Sequence, residues 1–290
     1  MATGKSILIQ KPCSLSSHFG QLKIKQEGQT AVIPLSQIGE IVVETSRSTI
    51  TSAVLQKLAE ENIPVFLCND KHTPIAELSS FSGNFERAGK IMDQMRWKTK
   101  NKQAVWISLI SEKIRCQKQV LLKMGIPVPS ELGHIETALS NETVDYMEAQ
   151  SARIYFQALF GTTFSRRRTN DINACLNYGY AILLSTANRI IRSHGYITEV
   201  GIHHCSRTNP HNFSCDIMEP FRPVIDYVIC KTGKPHLSPD FRKKLIDITF
   251  QPIHYNGKEW KVGDAMEQFF LDIIAAIETP EARIGGFIID

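Results

Sequence analysis

The sequence predicts an α+β protein with a small β-rich N-terminal domain over residues 1–80, a linker at 81–84, and a larger all-α C-terminal domain over 85–290. Three observations carry that reading. Short apolar runs bounded by turn dipeptides fill the first 80 residues. After Phe81-Ser82-Gly83-Asn84 the hydrophobic period changes from two to about 3.6. It then stays helical to the end, apart from one hairpin signal at Asn256-Gly257.

Taken in order, strands are expected at 7–9, 21–25, 31–35, 41–43, 64–67 and 75–78, with turns at Glu27-Gly28 and Thr73-Pro74. One helix interrupts them, opening near Ser48 and placing Val54, Leu55 and Leu58 at helical spacing. In the second domain, helices are expected at 87–123, 142–159, 171–192, 216–230, 239–248 and 264–277. The hairpin joins Ile253-His254 to Trp260-Lys261. No internal repeat or low-complexity tract occurs.

Composition excludes several classes. Hydrophobic residues are 42% and charged residues 21% of the 290, which suits a folded cytosolic protein and not a disordered or membrane one. The opening residues lack a basic stretch followed by an apolar core, and no apolar run is long enough to span a bilayer, so neither export nor membrane insertion is expected. Cys13, Cys68, Cys116, Cys175, Cys205, Cys215 and Cys230 are scattered, odd in number and never spaced as C-x-x-C, so reduced thiols are expected. The formal charge of +4 is mild, but between Phe85 and Met124 ten basic residues face only Glu86, Asp93 and Glu112. That excess suits a polyanion as well as a solvated helix face.

The chemistry-bearing residues lie in the second domain. In the helix from Glu142, positions 144, 148, 152, 155 and 159 form a stripe that is apolar except for Glu148. A carboxylate there needs a cation, either a metal or a basic side chain from another helix, because burying it alone costs several kcal/mol. Arg153 is wrongly spaced to serve from the same helix. Gly201-Ile202-His203-His204-Cys205 follows what reads as an extended stretch. Asp216 and Glu219 come after it at i, i+3 on one helical face, with Pro220 and Pro223 in the opening turns and Arg222 in reach of Glu219. Carboxylates with one imidazole make a mostly oxygen site suited to Mg²⁺ or Mn²⁺, ions that serve phosphodiester chemistry. A rival zinc set from Cys205, Cys215, His203 and His211 matches no common spacing. Arg153, Arg166, Arg167, Arg168, Arg207 and Arg222, with Arg189, Arg192, Lys243 and Lys244, supply candidate phosphate partners for DNA. Tyr178, Tyr180 and Tyr196 are candidates for base stacking, or for core and hydrogen-bonding roles.

Four segments in series, EAQSARIY at 148–155, NACLNYGY at 173–180, GIHH at 201–204 and DIMEPFRP at 216–223, resemble the CRISPR-associated integrase/endonuclease that forms the universal core of spacer acquisition. The resemblance covers nearly the whole chain and is greatest to members from loci with a single large effector nuclease. It implies metal ligation by Glu148, His204 and Glu219, with Asp216 close by as a further candidate; in G-x-x-H the ligand is the last histidine, so His203 is not carried over. Cys205, directly after the ligand, has no fixed counterpart in the family, which leaves an opening for mixed ligation. The implied activity is Mg²⁺- or Mn²⁺-dependent joining of the 3′-hydroxyl ends of short duplex DNA to a repeat array by transesterification. The implied partners are DNA, a second copy through residues 1–80, and a small ferredoxin-like companion protein. Two alternatives use the same residues: a structure-specific metal-dependent nuclease, and a non-catalytic DNA-binding assembly factor whose carboxylates only pair with arginines.

Overall fold

The computed structural model describes residues 5–70, 74–78, 80, 86–233, 235–279 and 283–289. The expected linker at 81–84 lies outside these residues. By packing, the chain divides into two units, Met1–Phe85 and Glu86–Asp290.

The first unit runs β1 (Lys5–Ile9), β2 (Ser14–His18), β3 (Gln21–Gln26), β4 (Gln29–Pro34), β5 (Ile38–Val43), β6 (Thr49–Ile50), α1 (Ser52–Glu60), β7 (Val65–Cys68) and β8 (Pro74–Leu78). Two four-stranded sheets form, ordered β1-β5-β7-β8 and β4-β3-β2-β6. The first is parallel up to its β8 edge; the second is an antiparallel meander to which β6 adds in parallel. Leu15, Leu22, Ile24, Ile41, Val43 and Val65 from the sheets share one apolar core with Val54 and Leu58 of α1. Burial of such side chains contributes about 1.5–3 kcal/mol each. The strands at β2 and β6 were not expected, and α1 begins at Ser52, not Ser48. In β2, Leu15 is the only apolar residue among serines and a histidine, so no alternation announces it.

The second unit contains α2 (Arg87–Met95), α3 (Thr99–Lys123), α4 (Ser130–Thr137), α5 (Val144–Phe160), α6 (Asp171–Ser193), α7 (Asn212–Met218), α8 (Arg222–Lys231), α9 (Pro239–Ile246), β9 (Pro252–Tyr255), β10 (Lys258–Lys261), α10 (Val262–Glu278) and β11 (Phe287–Ile289). The long α3 and α6 are its spine: α3 packs on α5, α8 and α10, and α6 on α7, α8, α9 and α10. The α+β expectation is met, with one addition, a three-stranded sheet ordered β10-β9-β11 beside the helices.

Three helix boundaries differ from expectation for physical reasons. The single helix at 87–123 is two, because the chain turns at Arg96–Lys98 to pack the Trp97 ring against Tyr196 and Phe213. Gln94 fixes that turn, its amide donating to the carbonyls of Ile197 and Val200 and accepting from the Ile197 N–H. The helix at 216–230 starts earlier, at Asn212, and breaks into a single 3₁₀ turn at Glu219–Phe221. Pro220 cannot donate to the carbonyl four residues back, so it marks the end of α7, while Pro223 lies in the opening turn of α8. The stretch before Gly201 is bends, not a strand.

The NACLNYGY segment is explained by packing. Gly179 lets α6 approach α8 so closely that a Cβ there would collide with Cγ2 of Ile225.

Candidate functional site

Glu219 is the centre of the second unit's charged cluster. The proline-enforced break between α7 and α8 holds it in place, 3% exposed. Its Oε1 accepts an ion pair from Arg222, three residues on, at 2.8 Å, and its Oε2 lies 2.6 Å from Nζ of Lys113 on α3. The same Lys113 ammonium donates to Oε1 of Glu148 on α5, also at 2.6 Å. Two carboxylates from separate elements thus meet at one nitrogen. The cation that Glu148 requires is Lys113, reaching it from another helix. Glu148 is less enclosed than its stripe suggested, with 29% of its side chain exposed, because Ser151 and not Ala152 takes the fully buried position on α5.

Burial opposes charge on Glu219, yet Arg222 and Lys113 outweigh it and hold the carboxyl below the usual range. Burial likewise opposes the Lys113 ammonium, and Glu219 and Glu148 overcome it and raise its pKa.

The histidine side is built differently. Asp216 is fully buried and spends both oxygens on the loop: Oδ2 accepts from the N–H of Ile202 at 2.6 Å and of His203 at 3.2 Å, and Oδ1 from the N–H of His204 at 3.1 Å. Oδ1 also bonds Nδ1 of His204 at 2.6 Å. Gly201 is required here, since a Cβ would stand 2.5 Å from the His204 carbonyl oxygen and 2.6 Å from Asp216 Oδ2. The bond to Asp216 raises the His204 pKa against the effect of partial burial, with Glu219 and Glu148 adding to the rise. With Nδ1 engaged, Nε2 is the nitrogen left to act, as in carboxylate–histidine–metal arrangements.

Neighbouring residues are committed elsewhere. His203 stacks flat on Trp106, ring centroids 4.2 Å apart, and its Nε2 lies 3.1 Å from Asp145. His211 bonds Asn188, Cys215 accepts from Asn209, and Cys205 is exposed, so the rival zinc residues are occupied separately. Among the described residues, no three histidine, cysteine or carboxylate groups stand together ready to hold a metal ion. At the Glu148–Glu219 pair, the Lys113 ammonium takes the place between them. The donor set, two carboxylates and an oriented imidazole, nonetheless fits a hard divalent cation in kind.

The arginines divide. Arg222 and Arg166 face one tyrosine ring, at 4.9 and 5.3 Å from the Tyr180 centroid. Arg166 donates to Asn173 at 2.5 Å and Asn177 at 2.7 Å. The Tyr180 hydroxyl donates at 2.6 Å to Asp226, a carboxyl that burial pushes up to about 7. Tyr178, Tyr180 and Tyr196 are all buried, so the core and hydrogen-bonding reading is the one the structure shows. Arg153, Arg167, Arg168 and Arg207 are exposed. Lys113 is the residue that sequence reasoning pooled with a surface basic run. The signal was present, since it falls in register with the buried Leu109, Ile110, Gln117 and Val120.

A β-rich unit followed by a helical one that gathers two carboxylates and a fixed imidazole places the chain in a class of two-unit proteins with an acid–histidine cluster. The particular family follows from comparison: the model of CRISPR associated protein Cas1 matches residues 7–246, and the chain belongs to this family. A CRISPR-associated endonuclease Cas1 of Neisseria meningitidis serogroup C is 31% identical over 288 residues, covering 97% of this chain and 94% of the relative. Among solved structures, a casposase bound to integration product shares the fold at TM-score 0.80 and 18% identity, over 97% of this chain and 92% of that one. A Cas6-RT-Cas1–Cas2 complex shares it at TM-score 0.75 and 18% identity, where this whole chain spans 36% of the longer one.

Proposed function

We propose that the chain is a divalent-metal-dependent DNA integrase/endonuclease of CRISPR adaptation, joining the 3′-hydroxyl ends of short duplex DNA to a repeat array. The observation that carries this reading is the convergence of Glu148 and Glu219, from different helices, on one cation beside a histidine oriented by Asp216. Membership of the Cas1 family, relatives named as endonucleases and a casposase with the same fold support it.

Glu148, Glu219 and His204 would hold Mg²⁺ or Mn²⁺, and Asp216 would position His204 from behind instead of ligating. When bound, such an ion supplies polarisation of the scissile phosphate and stabilises charge on the leaving oxygen. This chain's own residues would bind and orient the DNA: Arg153, Arg167, Arg168 and Arg207, which are exposed, would meet backbone phosphates, while Arg166 and Arg222 brace the site through Tyr180. A second copy through residues 1–80 and a small ferredoxin-like companion complete the assembly; the complex named Cas1–Cas2 among the fold's relatives supports the companion.

The pairing of both glutamates with Lys113 and Arg222 also favours a second reading, a non-catalytic assembly factor. One experiment separates them. The purified protein, its companion, a short duplex and a repeat-bearing plasmid are incubated with Mn²⁺ or Mg²⁺. Covalently joined strands are expected, and Glu148→Ala and His204→Ala are expected to abolish them while leaving the fold. Cut but unjoined strands point to a nuclease; no metal-dependent turnover points to the assembly factor. Wild-type joining by Glu148→Ala would refute the site.

A further inference from the structure

Lys113 lies on the buried face of α3 and is 6% exposed. Lysine is seldom so buried unless its charge is partnered, and here two carboxylates partner it. The two contacts are equal in length. Toward Glu148 Oε1 the ammonium makes a directed hydrogen bond of 2.6 Å. Toward Glu219 Oε2 it stands 2.6 Å away as an ion pair. One ammonium thus bridges both carboxylates, the position from which another cation can serve them. Lysine is suited to such replacement, being a compact charge on a flexible four-carbon stem, whereas arginine would lock a carboxylate with a planar fork.

We propose that Lys113 is a built-in counter-ion that occupies the position between Glu148 and Glu219 which a divalent ion takes, so that metal entry requires its ammonium to withdraw. This rests on the reading of both glutamates as metal ligands given above. Without an intervening positive charge the two carboxylates would repel each other at this separation. Lys113 keeps them together before metal arrives, and it weakens metal binding by the work needed to displace it. It is a positioning residue that sets metal affinity.

The test is Mn²⁺ binding to the full chain without DNA, read as free Mn²⁺ by electron paramagnetic resonance, with thermal unfolding in EDTA and in Mn²⁺ alongside. Lys113→Met removes the competitor while keeping the stem. It should bind Mn²⁺ about tenfold tighter than wild type or more, unfold at a lower temperature in EDTA, and gain more from added Mn²⁺. A merely structural lysine predicts the opposite sign, because disordered ligands bind more weakly; equal or weaker Mn²⁺ binding by a folded Lys113→Met overturns the proposal. Lys113→Arg provides an independent arm should the methionine variant fail to fold. Its charge cannot withdraw as readily, so it should bind Mn²⁺ severalfold more weakly than wild type, and equal or tighter binding overturns the proposal. If wild type, Lys113→Met and Lys113→Arg all leave millimolar Mn²⁺ free, the metal-ligand reading itself falls and the counter-ion role falls with it.

Discussion

On the loop side of the candidate site, one buried carboxylate, Asp216, holds three backbone N–H groups and the His204 ring in fixed directions. On the helix side, Glu148 and Glu219 are held by the ammonium of Lys113 and the guanidinium of Arg222, whose stems come from α3 and α8. The loop side is therefore set by directed hydrogen bonds that leave little freedom. The helix side is set by ion pairs of two basic side chains, whose charge another cation can supply. Directed hydrogen bonds thus prearrange the loop side, while balanced charges hold the helix side together.

The largest expected effect breaks the loop side. Asp216→Ala leaves three N–H groups without their acceptor, at about 1–3 kcal/mol for each that stays buried. A loss of about 4 kcal/mol is expected, lowering the unfolding midpoint by roughly 10 °C for a domain of this size. Differential scanning calorimetry measures it, and a drop of only a degree or two would show that the loop is held by something else.

A pH dependence sharpens the helix side. Asp226, packed beneath Tyr180 and 1% exposed, has a carboxyl raised by burial to about 7. Unfolded, an aspartate titrates near 3.9. Because the folded state holds the proton more tightly, the associated stability is full below about pH 4 and is lost as pH rises through 7. Three units correspond to about 4 kcal/mol. Asp226→Asn, which cannot ionise, should flatten the fall in stability between pH 4 and pH 8, as read by urea titration at each pH. An unchanged slope would place the proton elsewhere.

The smallest effect concerns His203. Its stack on Trp106 and its pair with the exposed Asp145 contribute about 1 kcal/mol. His203→Ala should keep most DNA-joining activity in the plasmid assay, whereas His204→Ala should keep none. Equal losses would mean the two histidines have been assigned the wrong way round.

Much of this was legible in the residues. The change of period located the two units' different make-up, and a glutamate on an apolar stripe announced that a cation must meet it. The same rule applied to Lys113 would have found that cation, but ten basic residues in one stretch obscured the single one in register with the apolar face. Asp216 and Glu219 share helical spacing, yet Pro220 breaks the helix between their duties, and i, i+3 arithmetic cannot show which way each side chain is spent. The β2 strand and the β11 strand near the C-terminus were hidden because a ladder needs a partner strand more than it needs its own alternation.

Whether Glu148, Glu219 and His204 hold a metal ion with Asp216 behind them is read from anomalous diffraction by crystals of the protein soaked in Mn²⁺. One strong peak is expected, bounded by the carboxylates of Glu148 and Glu219 and by Nε2 of His204, with Asp216 still bonded to Nδ1, His203 still on Trp106, and the Lys113 ammonium moved aside. A peak ligated by Asp216, by His203, or by Cys205 and Cys215, or full Mn²⁺ exposure with no ion between Glu148 and Glu219, would contradict it.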